Sequence, residues 1–273
     1  MALTGTAPSA TLLAAADPQA QVDTLLADPA FVEQFARYVN SQLNADPGAT
    51  PAEDATYWLA KHVLTTGKPW HELFDGKYNF TVTAGATPPV TVVDDANGLG
   101  YFRTRPWMVR YAGNEEAGYR LQAAYRIQQN IIGIDVTATT NAPNVDTSSV
   151  GREAGGCRGC HYDAYFALDK AARVLSKKAG TDPMNPTFTP PTEGPQTFLD
   201  GRTITDDAGL VAALVSSTDH KFRTCRLAFQ YLYGRAEATC ESDLFDACVD
   251  AYTSTGDVRA AVRTIAQDPG FCE

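Results

Sequence analysis

The stretch GGCRGCHYDAYFALDK, residues 155–170, sets Cys157 and Cys160 three apart and follows them at once with His161. The whole chain of 273 residues has six Cys and four His, so a C-x-x-C-H run calls for a chemical reason. A zinc site needs about four ligands, usually a second Cys/His pair at short spacing. The other histidines, His62, His71 and His220, stand alone, and there is no second C-x-x-C. A thioredoxin-like pair expects a βαβ setting and has no use for the adjoining His. Zinc and a disulfide thus account for part of the run. Covalent haem c accounts for all of it: Cys157 and Cys160 would form thioethers with the two vinyl groups, and His161 would be the proximal iron ligand.

The chain carries 22 basic and 32 acidic residues, a net charge of −10. That excess argues against nucleic acid and anionic lipid surfaces as partners. It serves solubility, or docking to a basic redox protein. No apolar run approaches the roughly 20 residues of a membrane span. With two cysteines assigned to thioethers, Cys225, Cys240, Cys248 and Cys272 are left near one end. An even, crowded remainder points to two disulfides and an oxidising compartment: periplasm, cell surface or extracellular space. The opening MALTGTAPSATLLAAADP lacks the basic region and long apolar core of a signal peptide. The chain is therefore expected to begin at a mature N-terminus or an engineered Met, or to continue upstream.

Most segments read as helix. In DPAFVEQFARYVNSQLN, Asp28 is an N-cap, Pro29 takes the first helical position, and Phe31, Phe35, Val39 and Leu43 recur every four residues. PAEDATYWLAKHVLTTG is a second helix that stops at Gly67. YNFTVTAGATPPVTVVDD alternates and is rich in β-branched residues, which predicts two short strands with Pro88 and Pro89 at the bend. Residues 114–133 return to helix, with Leu121, Ala124, Ile127 and Ile131 inward and Gly133 at the end. After a polar loop, His161 is expected to open one helix with Tyr165, Leu168, Ala172 and Leu175 on a single face, Lys177 and Lys178 at its C-terminal end, and Gly180 closing it. The Pro-rich residues 181–195 read as loop. Helices over 210–216, 219–233 and 243–252 and a last one from about Gly256 finish the chain. The adjacent acids Asp94–Asp95 and Asp206–Asp207 read as solvated turns and caps.

Cys225 falls on an inward stripe with Phe222, Phe229 and Leu232. Eight helical residues span about 12 Å, too far for Cys240 to bond Cys248. The expected pairs are Cys225 with Cys240 and Cys248 with Cys272.

Several segments resemble the cytochrome c-associated families of unknown function found in planctomycetes and myxobacteria. ALTGTAPSATLLAA followed by VDTLLADPAFVEQFARYVN is similar to their opening, and PWHELFDGKYNF to a later element. YFRTRPWMVRYAGNEEAGYRLQAAYRIQQNIIG looks like the region before their haem motif. FRTCRLAFQYLYGRAEATC resembles their C-terminal F-x-x-C helix ending in Y-x-x-G-R. Where those families carry D-P-x-G-F-A-L-E after C-x-x-C-H, this chain has HYDAYFALDK, which keeps F-A-L-D and lacks D-P-x-G. The resemblance implies a haem cofactor and an extracytoplasmic compartment, and no substrate.

The sixth iron position separates electron transfer from chemistry at an open iron. Met184, flanked by Pro183 and Pro186, is the favoured sulfur ligand, with His220, His71, His62 or a residue of a neighbouring subunit as alternatives. Arg152, Arg158, Arg103 and Arg105 are candidates for haem propionates, which guanidinium groups pair with bidentately. The fold class expected is mainly α, a helical bundle-like architecture with a small β-hairpin and a cytochrome c-like haem-binding region. Three regions are expected: 1–75 helical, 76–145 hairpin plus helix, and 146–273 haem-binding with the disulfides. The function expected is a mono-haem c-type cytochrome that exchanges electrons with redox protein partners, alone or as a homo-oligomer or polymer. The alternative is a peroxidase-like haem enzyme with an open distal site.

Overall fold

A computed structural model describes residues 3–111, 121–136, 144–179 and 187–272. Two short helices, α1 (Ala10–Leu13) and α2 (Val22–Ala27), lead to Asp28, whose Oδ1 accepts the Ala30 N–H at 2.8 Å and so caps α3 (Pro29–Leu43). Pro29 enters at the first turn, where a missing N–H costs nothing. Phe31, Phe35, Val39 and Leu43 are all buried, as their spacing requires. Helix α4 (Ala55–Thr66) packs on α3 and ends at Gly67, whose φ of +66° closes the last turn. After α5 (Glu72–Asp75) come β1 (Tyr78–Val82) and β2 (Val90–Asp94), antiparallel, with Tyr78 opposite Asp94 and Val82 opposite Val90.

The next stretch is built from shorter pieces. Helix α6 (Arg105–Tyr111), with Pro106 in its first turn, has no counterpart in the sequence reading. Helix α7 (Leu121–Ile132) buries Ala124, Ile127 and Ile131, leaves Leu121 half-buried, and ends at Gly133, φ +75°. The expected start of that helix at 114 lies outside the described residues. Then follow α8 (Ser149–Glu153), a 3₁₀ turn at Gly155–Cys157, a π turn at Gly159–Asp163, and α9 (Leu168–Arg173). The single helix expected from His161 is thus broken. Ala167 takes a left-handed φ of +34° between the π turn and α9. Lys177 and Lys178 are not a helix end either: β3 (Lys177–Ala179) pairs antiparallel with β4 (Thr187–Thr189), which comes from the stretch read as loop. Strands β5 (Gln196–Thr197) and β6 (Thr203–Ile204) form another small pair, and α10 (Asp207–Val215) follows.

Helices α11 (Thr218–Tyr233), α12 (Ser242–Thr255) and α13 (Val258–Ala266) complete the chain. They return to the N-terminal helices: α11 packs on α3 and α13 on α2. Tyr231 of α11 sits edge-on to Phe35 at 5.0 Å between ring centroids and 6.3 Å from Phe31. The chain therefore forms two compact units, Met1–Tyr101 with Thr218–Glu273, and Phe102–Ser217. These boundaries differ from the expected divisions after 75 and 145. Burying the aromatic face of α3 needs α11, so the last helices belong with the first rather than with the C-x-x-C-H run.

The disulfide differs as well. Cys225 bonds Cys248, across 6.0 Å between Cα atoms, and both are fully buried on the packed helices α11 and α12. Cys240 lies on an exposed 3₁₀ turn and is unbonded, so neither expected pairing forms. The inward direction of Cys225 was legible, but the partner was decided by which helix faces it. Among the described residues, no helix is long and apolar enough to cross a membrane.

Candidate functional site

Three consecutive pieces of the second unit bring Arg152, His161 and Asp169 together. Ser148 caps α8, its Oγ accepting the Gly151 N–H at 3.3 Å, and Arg152 follows in the last turn. Gly155, at φ +57°, turns the chain into the motif. The π turn closes with the Ala164 N–H donating to the Gly159 carbonyl at 2.6 Å and carries His161. Such single π turns recur at functional sites. Gln128 of α7 donates to the Phe166 carbonyl at 3.0 Å and holds the bend before α9. Asp169 then sits in the first turn of α9, where the helix dipole favours a negative charge.

Asp169 is completely buried. Its Oδ2 accepts from His161 Nδ1 at 2.7 Å and from Arg152 Nε at 2.9 Å, while Oδ1 accepts Arg152 Nη2 at 2.8 Å. Arg152 Nη1 also donates to the Thr147 carbonyl. Tyr162, next to His161 and buried, donates to the Ser149 carbonyl at 3.1 Å and accepts from Arg173 Nη2 at 3.2 Å. It thereby ties the π turn to α8 and α9. Burial raises the Tyr162 hydroxyl pKa, with the Asp169 charge adding to the shift.

Haem c would need two unbonded thiols and an imidazole with one free nitrogen. Cys157 is half-buried, Cys160 is exposed, and both are unbonded. Against an ionised Asp169, which can only accept, Nδ1 of His161 is the donor, and Nε2 is the ring nitrogen left to face a ligand. Among the described residues no group hydrogen-bonds that Nε2. The residues present therefore fit the group. They do not make a zinc site: among the described residues no cluster of three or more His, Cys, Asp or Glu could hold a metal ion. Haem needs no such cluster, since the porphyrin supplies four of the iron's ligands.

The other candidates have separate fates. Met184 lies outside the described residues. Arg152 faces Asp169 with the fork expected to face a propionate, because a buried carboxylate requires a counter-charge. Arg103 likewise pairs with Asp207 at 2.7 Å, and Ser176 Oγ donates to the same carboxylate at 2.9 Å. Asp207, read as a solvated acid, is in fact buried, whereas Asp206 caps α10 through Gly209 N–H at 2.7 Å. Arg158 is exposed and bonds Asp163 at 2.9 Å. Arg105 begins α6 and is half-buried.

The three other histidines belong to the first unit. His220 is buried, its Nε2 3.1 Å from the Tyr252 hydroxyl. His71 Nδ1 lies 2.9 Å from Asp75, and that hydrogen bond raises its pKa against a modest effect of burial. His62 packs edge-on to Tyr78, and burial lowers its pKa.

Asp169 was missed as a site residue. The one signal for it was the acid retained in F-A-L-D. On a continuous helix, residues 161 and 169 would stand about 12 Å apart. The break over 164–167 is what folds the carboxylate back to the imidazole. No family model matches the chain, and no curated protein or solved structure shows a match to it.

Proposed function

We propose that this chain is a mono-haem c-type cytochrome that transfers electrons outside the cytoplasm, in the periplasm or at the cell surface. One observation carries the reading. The C-x-x-C-H run has both thiols unbonded and its histidine fixed with Nε2 free, as covalent haem requires. Cys157 and Cys160 would hold the haem through thioethers, and His161 would ligate the iron. The bound group supplies reversible one-electron chemistry. The chain's own residues hold the imidazole at Nδ1 and tie the π turn in place. Met184 is the proposed distal ligand, and the resemblance to the cytochrome c-associated families belongs to the same proposal. The net charge of −10 suits a basic redox protein as partner. Assembly of copies into an oligomer or polymer would serve the same function.

A second reading, a haem enzyme with an open distal site, is favoured by the carboxylate on Nδ1, which makes the histidine a more basic ligand. Protein made with haem-maturation machinery and extracted with acid–acetone tests the first step: haem should stay with the polypeptide, and haem leaving with the solvent refutes the proposal. Carbon monoxide then separates the two readings. A carrier with a filled sixth position resists it, whereas saturating binding with peroxide turnover above that of free haem selects the enzyme. Electron exchange with a cationic mediator should slow as salt rises.

A further inference from the structure

We infer that Asp169, aimed by Arg152, is a positioning residue that gives His161 anionic character and lowers the reduction potential of the iron it would hold. This rests on the haem reading above and adds to it a determinant of potential.

The geometry sets the direction of the effect. Oδ2 of Asp169 lies 2.7 Å from His161 Nδ1, a short contact for a nitrogen donor, and the carboxylate is wholly buried. Hydrogen bonds to ionised acceptors are about twice as strong as neutral ones, and low local dielectric strengthens them further. A strong acceptor on Nδ1 raises the electron density the ring offers at Nε2. More density at Nε2 favours ferric over ferrous iron, so the potential falls.

Arg152 makes the arrangement rigid. Its Nε and Nη2 take one carboxylate oxygen each, fixing the carboxylate plane. The same Oδ2 that receives Nε also receives the imidazole, so Arg152 aims the acceptor as well as balancing its charge. The three groups come from α8, the π turn and α9, each fixed by its own bonds. A histidine that only needed orientation could use a backbone carbonyl. A buried, forked ion pair is a costly way to orient a ring, and what it adds over a backbone carbonyl is a carboxylate as the acceptor at Nδ1.

The test uses the haem-loaded full chain, with potentiometry and ferric electron paramagnetic resonance as readouts. Asp169→Asn keeps an acceptor of the same shape without the charge. The expected result is covalent haem retained, altered g-values, and a potential raised by at least about 59 mV, a tenfold change in ferric against ferrous preference for one electron. Asp169→Glu should return the potential most of the way to that of the parent protein. Should Asn alone leave Arg152 too poorly paired to fold, Arg152→Gln with Asp169→Asn removes both charges together, and altered g-values then carry the expectation. An unchanged potential and unchanged g-values in either folded, haem-bearing neutral variant overturn the inference while leaving the cytochrome reading intact. A parent protein without covalent haem overturns that reading itself.

Discussion

In the first unit, α3, α11, α12 and α13 run nine to sixteen residues, and the core is filled by Phe31, Phe35, Trp70, Phe74 and Phe229. In the second, the described helices run five to twelve residues and enclose two carboxylates, Asp169 and Asp207, the buried acidic residues among those described. Aromatic burial is non-directional and grows with the area removed from water. It holds helices together without fixing any one atom closely. A buried ion pair stabilises little net, because desolvation offsets attraction, but it places its groups within hydrogen-bond distance. Aromatic burial dominates the first unit, while in the second a buried ion pair holds the His161 ring in one orientation.

The largest effect expected is that of Asp169→Ala, which should separate the stabilities of the two units. It removes the buried carboxylate that both faces of the Arg152 fork bond, on a guanidinium side chain 13% exposed. The expected cost is about 3–5 kcal/mol, with amide hydrogen-exchange protection lost in α7, α9 and α10 and kept in α3 and α11. Equal loss in both units would mean that they unfold as one. Replacing Cys225 and Cys248 together with Ser should cost about 2–4 kcal/mol, seen this time in α11 and α12. Peptide mapping of the parent protein should recover the Cys225–Cys248 bond and an alkylatable Cys240. Asp28→Ala removes the cap of α3 and should cost about 1 kcal/mol, as faster exchange in the first turn of that helix.

The smallest effect expected is a pH dependence in the first unit. The Asp75 hydrogen bond holds the His71 pKa above its ordinary 6.5. The added stability is therefore fully present below pH 6.5 and is lost as pH rises through the folded pKa. Solvent screens this exposed pair, so less than about 1 kcal/mol is at stake. Titration by NMR should place His71 above His62, and Asp75→Asn should lower the His71 value. A His71 that titrates below His62 would contradict the pairing.

The two units also differ in how far local pattern reveals them. Asp28, Pro29 and the four-residue spacing from Phe31 to Leu43 specify α3 without outside help, and the alternation of β1 and β2 specifies the hairpin. In the second unit, Tyr165, Leu168, Ala172 and Leu175 carry a helical spacing that the chain does not follow throughout. Tertiary bonds win there: Gln128 holds the Phe166 carbonyl, Tyr162 reaches α8, and Arg152 draws Asp169 inward. Short helices have too little cooperative strength of their own to resist such bonds.

Sequence alone determined the long helices and the hairpin, because each rests on neighbours within a few residues whose spacing is set by backbone geometry. Tertiary structure alone decided that Cys225 meets Cys248, that the last helices close over the first, and that Asp169 stands against His161. Each of these depends on which faces meet across the fold, and local periodicity carries no information about the partner a face will find.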